Sequence, residues 1–483
     1  MRQGAEMTPE LKRELGLKEV VATVVTAVIG GGLFLSTIQI QSKVAVGSSI
    51  IFSYMIAALP AFLMALCYAV LSSALPSSGG EYVFVSRIVD PFIGFITTWA
   101  RWFAMIATIA AMAVGDMVLI NNFFDILNMH AVSGFIADNI TAISIILVVI
   151  FLMINYVGVK TFGRIQVVMF VLLMIGISAF ILFGISEVDM GNLTHSMDYN
   201  LSDIAKASSL IFFSYLGFAA IANVGGEIKK PEKTLPKGII ISMIMISVIY
   251  ILVALITYGS MSPSFYSSYD FSNGSVPDVS SHFLPSFIAV LVAFAGSIAI
   301  ISDINPNILA SSRLSFAWAK DNIVPQKIAE LNKYGVPKWT LLINGVMAIS
   351  IILLAKQFMN AVIMINMAIL LIYIAISTSA LILPYKHPEI YAKAKLKFRG
   401  MWIVALLGML TSALFFGYIL RLDGAMPGFI LLLVWTGIGS VVYVLTLEHH
   451  QMHWRLFKEE KKGKEITDEE TIKEMVGEDN KTE

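Results

Sequence analysis

The chain contains 483 residues, of which 57% are hydrophobic and 14% are charged, and its mean hydropathy is +0.80. A chain this apolar would not stay in solution, so its composition excludes a protein built only of soluble domains. The 33 basic and 33 acidic residues give a formal net charge of zero, and we expect no nucleic-acid partner.

The apolar residues fall into twelve blocks of about 20 residues, the helix length that about 30 Å of hydrocarbon requires. Lipid offers the backbone no hydrogen-bond partner, so these blocks should be helices. They are too long and too continuously apolar for the strands of a membrane barrel. The sequence therefore predicts an all-α polytopic membrane protein with twelve transmembrane helices. The predicted spans are residues 20–42, 48–72, 90–122, 139–159, 164–186, 203–226, 236–260, 283–317, 338–356, 360–384, 402–421 and 426–447.

Lys and Arg are concentrated in every second connection between these blocks, and residues 1–18 show no cleavable signal sequence. The positive-inside rule then predicts that both termini lie in the cytoplasm, and we expect a multi-pass protein of the plasma membrane. Residues 448–483 would form a charged cytoplasmic tail. Cys67 is the single cysteine, so we expect no internal disulfide, no thiolate metal site and no cofactor. The basic connections are the N-terminus, Arg87 and residues 160–164, 229–237, 313–338 and 386–399.

The first and sixth blocks are interrupted near their centres by residues that weaken a helix. The first contains "VIGGGLF", with Gly30, Gly31 and Gly32, and the sixth contains "FFSYLGFAA", with Ser214 and Gly217. Corresponding interruptions in two halves of a chain are typical of transporters built from inverted repeats. Unwound backbone in the membrane is tolerated where it lines a cavity and finds a polar partner, such as a zwitterion. The alternative is that the glycines only allow neighbouring helices to pack closely.

Three charged residues lie within predicted spans, where charges are costly and often functional. Asp303 precedes Arg313 by ten residues, about 15 Å along a helix, so it should lie well inside the membrane. It could carry a proton, or bind a cation with Ser302 and Asn305 as further oxygen ligands, or fix helix contacts. Asp116, a further candidate for ion coupling, would lie in an external vestibule or at a hydrated helix end.

The third of these charged residues, Arg101, and a residue outside the predicted break, Glu227, are candidates for a cytoplasmic gate. Arg101, in "TTWARWFAM", would either extend toward the membrane surface or act as a gate residue. Glu227 lies close in sequence to Lys229 and Lys230. It would form an inner-gate ion pair or remain an exposed loop charge of little energetic consequence.

Several motifs resemble those of the amino acid-polyamine-organocation (APC) transporters, and they occur in the family's order across most of the chain. "IGGGLF" is similar to the first-helix "IGxGIF", and "FFSYLGF" to the sixth-helix core. The remaining matches are "SSGGEYVFV" at 77–85, "GGEIKKPEKTLPKGI" at 225–239, "NPNILASSRLSFAWAKDNIVP" at 305–325 and "YGVPKWT" at 334–340.

The resemblance implies a LeuT-type (leucine transporter) 5+5 inverted repeat with broken helices 1 and 6. Residues 19–186 would form the first repeat and residues 203–384 the second, followed by helices 11 and 12 within 402–447. It further implies that backbone N–H groups at Gly30, Gly31 and Gly32 hold a substrate carboxylate. The substrate ammonium would meet carbonyls near Val28, Ile29, Phe213, Ser214 and Leu216, beside Gly217.

Phe213 matches an aromatic that often closes over the substrate in this family. Two positions depart from the family pattern. Ala219 stands where many relatives have an acidic residue, and Leu173 stands where proton-coupled relatives can have a lysine. Coupling through that lysine is therefore not expected.

We expect secondary active transport of amino acids by alternating access, with a proton or sodium ion as the coupling ion. Ala219 and Ala220 favour neutral substrates. A polyamine or cationic amino acid transporter or exchanger is the first alternative, and a channel or membrane-embedded enzyme is the second. The predicted spans lack histidine and any phosphate-binding glycine loop followed by Lys-Ser/Thr, which disfavours an enzyme and ATP-driven transport.

Overall fold

The structure is a computed structural model that describes residues 11–195, 197, 200–354, 358–421 and 425–446. Within these ranges the regular elements are helices, accompanied by three isolated β-bridges. The predicted tail at 448–483 lies outside the described residues.

The first half of the chain contains α1 (Leu17–Val28), α2 (Gly31–Phe34), α3 (Ser36–Gln39), α4 (Ile50–Ala74), α5 (Gly80–Ile88), α6 (Pro91–Ile126), α7 (His130–Asp138), α8 (Ile140–Tyr156), α9 (Val159–Gly184), α10 (Met190–His195) and α11 (Leu201–Ile211). The second half contains α12 (Pro231–Gly259), α13 (Pro263–Ser268), α14 (Val276–Ser280), α15 (Ser286–Lys320), α16 (Lys338–Leu354), α17 (Phe358–Lys386), α18 (Pro388–Lys393), α19 (Met401–Ile419) and α20 (Ala425–Leu445). Short 3₁₀ helices occupy Ile40–Ser42, Gly47–Ser49, Ile185–Glu187, Phe212–Asn223, Gly225–Glu227 and Gln326–Ala329.

Each of the twelve predicted spans contains helix, but they do not all qualify as straight membrane-crossing helices. In the described residues, ten helices are long and apolar enough to cross a bilayer, or eleven if α7 and α8 form one span bent by 83°. α16 has 17 residues and is shorter than each of these ten. The chain is thus a multi-pass membrane protein whose described part is built of helices.

The helices begin and end where local chemistry supplies backbone partners. Asp90 caps α6, because its carboxylate accepts hydrogen bonds from the N–H groups of Phe92 and Ile93 at 2.8 and 3.1 Å. Pro91 occupies the first turn, where its missing N–H costs no hydrogen bond. Gly79 precedes α5 with φ +66°, a conformation that favours glycine.

The two longest helices, α6 and α15, form the most extensive helix pair in the fold. α1 packs on α9, α12 and α15 and also contacts the 3₁₀ helix Phe212–Asn223. That 3₁₀ helix in turn contacts α4 and α15. The interrupted segments therefore face each other at the centre of the helix assembly.

Candidate functional site

The first span is broken at the predicted glycines. α1 ends at Val28, α2 begins at Gly31, and Gly30 between them has a non-helical backbone (φ −140°, ψ −139°). The first N–H groups of a helix have no intrahelical acceptor, and among the described residues no side chain caps α2. The break therefore presents main-chain donors beside the carbonyl of Val28.

The sixth span differs in form from a simple break. α11 passes directly into a twelve-residue 3₁₀ helix, Phe212–Asn223. Runs of 3₁₀ helix longer than three or four residues are uncommon because their hydrogen bonds are poorly aligned, and they often mark a hinge. The sixth span, predicted to be interrupted, is thus wound into a tighter 3₁₀ helix at this point and is not unwound. The side chain of Phe213, predicted to cover the substrate, lies outside the described residues.

The interrupted segments approach each other closely because glycine has no side chain. A Cβ atom on Gly32 would lie 2.5 Å from the Cα atom of Ser214, and a Cβ on Gly217 would overlap the carbonyl of Ala27. The packing explanation for the glycines therefore holds at these two positions. Gly30 is different, since a Cβ there would meet Asp303 Oδ2 at an ordinary 3.5 Å.

Buried hydroxyl groups lie against the carbonyls of the two segments. The Tyr250 hydroxyl is 2.6 Å from the Val28 oxygen and 2.7 Å from the Ser214 oxygen. A hydroxyl has one proton to donate, so it can satisfy only one of these carbonyls at a time. The Ser214 hydroxyl donates to the Gly32 oxygen at 2.8 Å. Val28 and Ser214, both predicted to hold an ammonium group, are thus brought together around one donor.

A cavity of about 20 Å³ lies between the two segments. That volume holds about one water molecule, so an amino acid can enter only if the surrounding helices move apart. The wall combines main-chain atoms, an acidic and a basic group, polar side chains and aliphatic groups. The lining residues are Ala27, Val28, Gly32, Arg101, Thr108, Ser214, Leu216, Gly217, Asp303, Asn307, Ile365 and Ile369.

Asp303 reaches this cavity, but the two side chains predicted to assist it do not. Its Oδ1 accepts a hydrogen bond from Asn307 at 2.9 Å. The Ser302 hydroxyl is directed to main-chain oxygens, 2.8 Å from that of Ala299 and 3.3 Å from that of Thr26 in α1. Asn305 lies beyond it, in a separate polar cluster.

That polar cluster joins four helices through neutral side chains. Gln166 of α9 donates to the Thr26 hydroxyl at 2.7 Å and to the Ser302 carbonyl at 2.9 Å. Asn305 donates to Gln166 at 2.9 Å and accepts from Asn155 at 2.7 Å. Since Asn305 uses both ends of its amide here, the predicted grouping of Ser302, Asp303 and Asn305 around one cation is not observed.

Asp116 is fully buried, so the prediction that it lies in a vestibule or at a hydrated helix end is wrong. Neither of its carboxylate oxygens has a hydrogen-bond partner among the described residues. It is also absent from the wall of the cavity at Asp303. A buried carboxylic group without a partner is costly, which marks Asp116 as a functional candidate separate from Asp303.

Arg101 does not extend to the membrane surface, which was the first of its two predicted roles. Its side chain is 2% exposed, and its Nε lies 3.3 Å from the Glu81 carboxylate. Glu81 also accepts hydrogen bonds from Tyr68 at 2.5 Å and from Asn223 at 2.8 Å. Because Arg101 lines the cavity together with Asp303, it connects the cavity to the end of the sixth-span 3₁₀ helix.

Glu227 forms a buried ion pair, but with Arg313 rather than with Lys229 or Lys230. The guanidinium donates to both carboxylate oxygens, at 2.6 and 2.9 Å, and neither side chain is more than 2% exposed. The main chain of Glu227 also accepts hydrogen bonds from the N–H groups of Glu14 and Leu15. This pair therefore ties α15 to the segment before α1 and to the end of the sixth span.

Sequence patterns alone missed Glu81, Tyr250 and the role of Arg313. Arg313 looks like one of several basic residues in a connection, and its partner is 86 residues away. Tyr250 is one of 16 tyrosines. Charged residues inside apolar spans are the one local signal, and that signal points to Arg101, Asp116 and Asp303 rather than to the three residues that were missed.

Comparison with known proteins covers nearly the whole chain. Residues 15–441 match the family described as Amino acid permease. The chain is 26% identical to the methylthioribose transporter of Bacillus subtilis (strain 168), over 92% of this chain and 95% of that protein. It is also 26% identical to the branched-chain amino acid permease BcaP of the same organism, over 91% and 94%. The vacuolar cationic amino acid transporter 4 of Arabidopsis thaliana is 24% identical, over 79% and 64%.

Proposed function

The chain belongs to the amino acid permease family, and from that premise we propose that it is a secondary active transporter of amino acids that works by alternating access. Its relatives are transporters and permeases, so it is a transporter rather than an enzyme. One observation carries the mechanism: the main-chain break at Gly30 faces the 3₁₀ helix Phe212–Asn223 across a cavity that also contains Asp303.

The substrate's α-amino and carboxylate groups bind the main chain of the two interrupted segments. The carboxylate accepts from uncapped N–H groups at Gly30, Gly31 and Gly32, where the partial positive charge of a helix start adds to the attraction. The ammonium donates to the carbonyls of Val28 and Ser214, with those of Ile29, Phe213 and Leu216 nearby. It thereby relieves the competition of these two carbonyls for the single Tyr250 proton.

The chain has a LeuT-type 5+5 inverted repeat in which the spans of α1 and α11 are equivalent. Reciprocal helix contacts support this. α1 packs on α12 as α11 packs on α4, and α6 packs on α17 as α15 packs on α9. Two symmetry-related repeats require such reciprocal contacts. If a helix of the first repeat packs on a helix of the second, the two equivalent helices must also pack on each other. Helices α19 and α20 lie outside the repeats. The permease lies in the plasma membrane, and both of its termini lie in the cytoplasm.

Two buried ion pairs close the cytoplasmic side in this conformation. Glu227–Arg313 joins the sixth span to α15, and Glu81–Arg101 joins α5 to α6. Cytoplasmic opening separates these partners and exposes them to water, where an ion pair is worth much less. Substrate binding and the ion gradient must supply the free energy that is lost when these ion pairs separate.

A proton or cation is coupled through Asp303, whose Oδ2 would be 3.5 Å from a Cβ at Gly30. A carboxyl group at the first-span break can respond to an ion and to the substrate together. Asp116 is the second candidate, because its two buried oxygens lack a partner among the described residues.

The substrates are neutral amino acids. The cavity wall includes the apolar side chains of Ile365 and Ile369, and its two charged residues, Arg101 and Asp303, have opposite charges that sum to zero. A cationic amino acid or polyamine is the alternative, and the carboxylate of Asp303 in the wall is the observation that favours it. In that case Asp303 would bind the second cationic group of the substrate.

Uptake into proteoliposomes tests the proposal. Saturable accumulation of a neutral amino acid that depends on a proton or sodium gradient is expected. Accumulation of lysine or a polyamine in place of neutral amino acids would favour the alternative substrate class. A high-flux current without accumulation would support a channel and refute alternating access.

A further inference from the structure

A groove of about 460 Å³ lies between α8 and α16, away from the central cavity. Its volume falls within the range of about 300–1,000 Å³ that is usual for small-ligand sites. Its wall is aliphatic and aromatic apart from one lysine, which stands at one end. The lining residues are Val149, Leu152, Met153, Tyr156, Lys338, Trp339, Leu341, Leu342, Gly345, Val346 and Ile349.

The groove has the length of one lipid leaflet. α8 ends at Tyr156 and α16 begins at Lys338, so these residues mark one end, and Val149 and Ile349 mark the other. Lys338 and Ile349 are eleven residues apart in one helix, which corresponds to about 16 Å. That is about half of the 30 Å hydrocarbon thickness of a bilayer. The groove thus starts at a polar loop and ends near the middle of the membrane.

The polar end carries an excess of positive charge, and we call Lys327, Lys333 and Lys338 the basic rim. Lys338 pairs with Glu330 at 2.7 Å. Hydrogen bonds from Lys338 and Trp339 lower the pKa of Glu330, which keeps this carboxylate charged at neutral pH. One negative charge therefore faces three positive charges, and the rim remains attractive to an anion.

Aromatic side chains hold the basic rim at the level of the membrane interface. Lys327 lies 5.5 Å from the ring of Trp339, and Lys333 lies 5.0 Å from the ring of Tyr334. The rings of Tyr334 and Tyr156 are 6.4 Å apart. Trp and Tyr are enriched where headgroups meet hydrocarbon, so the rim lies where a phosphate group would lie.

We propose that this groove is a specific site for an anionic phospholipid, with an acyl chain between α8 and α16 and the headgroup phosphate on the basic rim. Basic pockets between transmembrane helices are typical of sites for anionic headgroups. A neutral lipid would leave the excess charge of the rim uncompensated. A transmembrane helix of a partner protein would need a contact surface across both leaflets, whereas this groove spans only one leaflet.

Lipid titration of the purified full-length chain, followed by native mass spectrometry, tests the site. The probes are dioleoyl phosphatidylglycerol and dioleoyl phosphatidylcholine, which share their acyl chains and differ in headgroup charge. We expect the first bound lipid to be phosphatidylglycerol. Lys333→Gln and Lys338→Gln should each weaken its binding about fivefold, the equivalent of about 1 kcal/mol per lysine near an anionic surface, and should leave phosphatidylcholine binding unchanged.

A second variant tests the acyl-chain part of the site. Val346 lines the groove and is 57% exposed, so Val346→Trp should fill the groove without disturbing the core and abolish the specific site. Leu353→Trp on the same helix and Lys393→Gln in another basic connection are matched controls that should change nothing. Equal affinity for the two lipids, equal effects of variants and controls, or a protein dimer that Val346→Trp dissociates would each overturn the proposal.

Discussion

The ion pair between Glu227 and Arg313 provides a quantitative test of the proposed cytoplasmic closure. Glu227→Gln keeps the shape of the side chain but leaves the Arg313 guanidinium buried without its carboxylate. Removing one partner of a buried pair costs about 3–5 kcal/mol. In the open state Arg313 would be hydrated, so this cost falls mainly on the closed state. A change of about 3 kcal/mol shifts the ratio of closed to open protein about 150-fold.

Cysteine labelling measures that shift. Cys67 is the only cysteine and is buried, and Cys67→Ala removes it. Ala310→Cys then introduces a reporter one helical turn from Arg313, in a buried cluster with Met105 and Ala220. Glu227→Gln should raise the rate of maleimide labelling at position 310 by about two orders of magnitude.

Two controls separate gate opening from general damage. The Lys338–Glu330 pair is exposed and contributes about 0–1 kcal/mol, so Glu330→Gln should leave labelling unchanged. Adding Arg313→Gln to Glu227→Gln removes the uncompensated charge and should reverse most of the increase. Unchanged labelling in folded Glu227→Gln protein would refute the assignment of this pair as a cytoplasmic closure.

Three further predictions concern the central cavity. Gly32→Ala should abolish uptake, because its Cβ has no space beside Ser214, whereas Gly30→Ala should retain uptake within a few-fold; equal effects in a transport assay would contradict this geometry. Tyr250→Phe removes a hydroxyl shared by two buried carbonyls, so it should lower the stability of the substrate-free protein by about 1–3 kcal/mol. Thermal unfolding should show a smaller loss of stability for the substrate-saturated protein. Asp303→Asn should make uptake insensitive to the pH or sodium gradient, and gradient dependence equal to that of the wild type would exclude Asp303 as the coupling group.

Hydrophobic blocks predicted a helical, multi-pass membrane protein correctly, because continuous apolar sequence of this length has few alternatives. They overstated the number of spans, since ten of the described helices, or eleven with the bent pair, are long and apolar enough to cross a bilayer. The break at Gly30 was also visible, since three successive glycines in such a block are unusual. The form of the sixth span was not visible. Gly217 of this span packs directly on the main chain of Ala27, where a Cβ atom would overlap the carbonyl, and a contact between distant segments leaves no local pattern.

For the charged residues, too, the sequence does not predict contacts between distant segments. Arg101 was expected at the membrane surface or at a gate, whereas Asp303 could be recognised as buried from its position in an apolar block. Their partners could not, because helix rotation and register decide which side chains meet. Glu81 is 20 residues from Arg101, and Glu227 has two lysines nearby in sequence but pairs with the distant Arg313. For the same reason Asn305 looked like a ligand of the Asp303 site, although its amide is used by Gln166 and Asn155.

Binding of substrate analogues tests the central proposal, that main-chain groups at the two interrupted segments hold the amino acid's α-groups, most directly. Isothermal titration would compare the best-bound amino acid with its carboxamide and with its deaminated acid. We predict that each analogue binds about 5- to 150-fold more weakly, since each leaves buried polar groups unpaired at a cost of about 1–3 kcal/mol. We also predict that folded Gly31→Val protein binds none of the three. Undiminished binding of either analogue, or of the amino acid to Gly31→Val, would contradict the main-chain site.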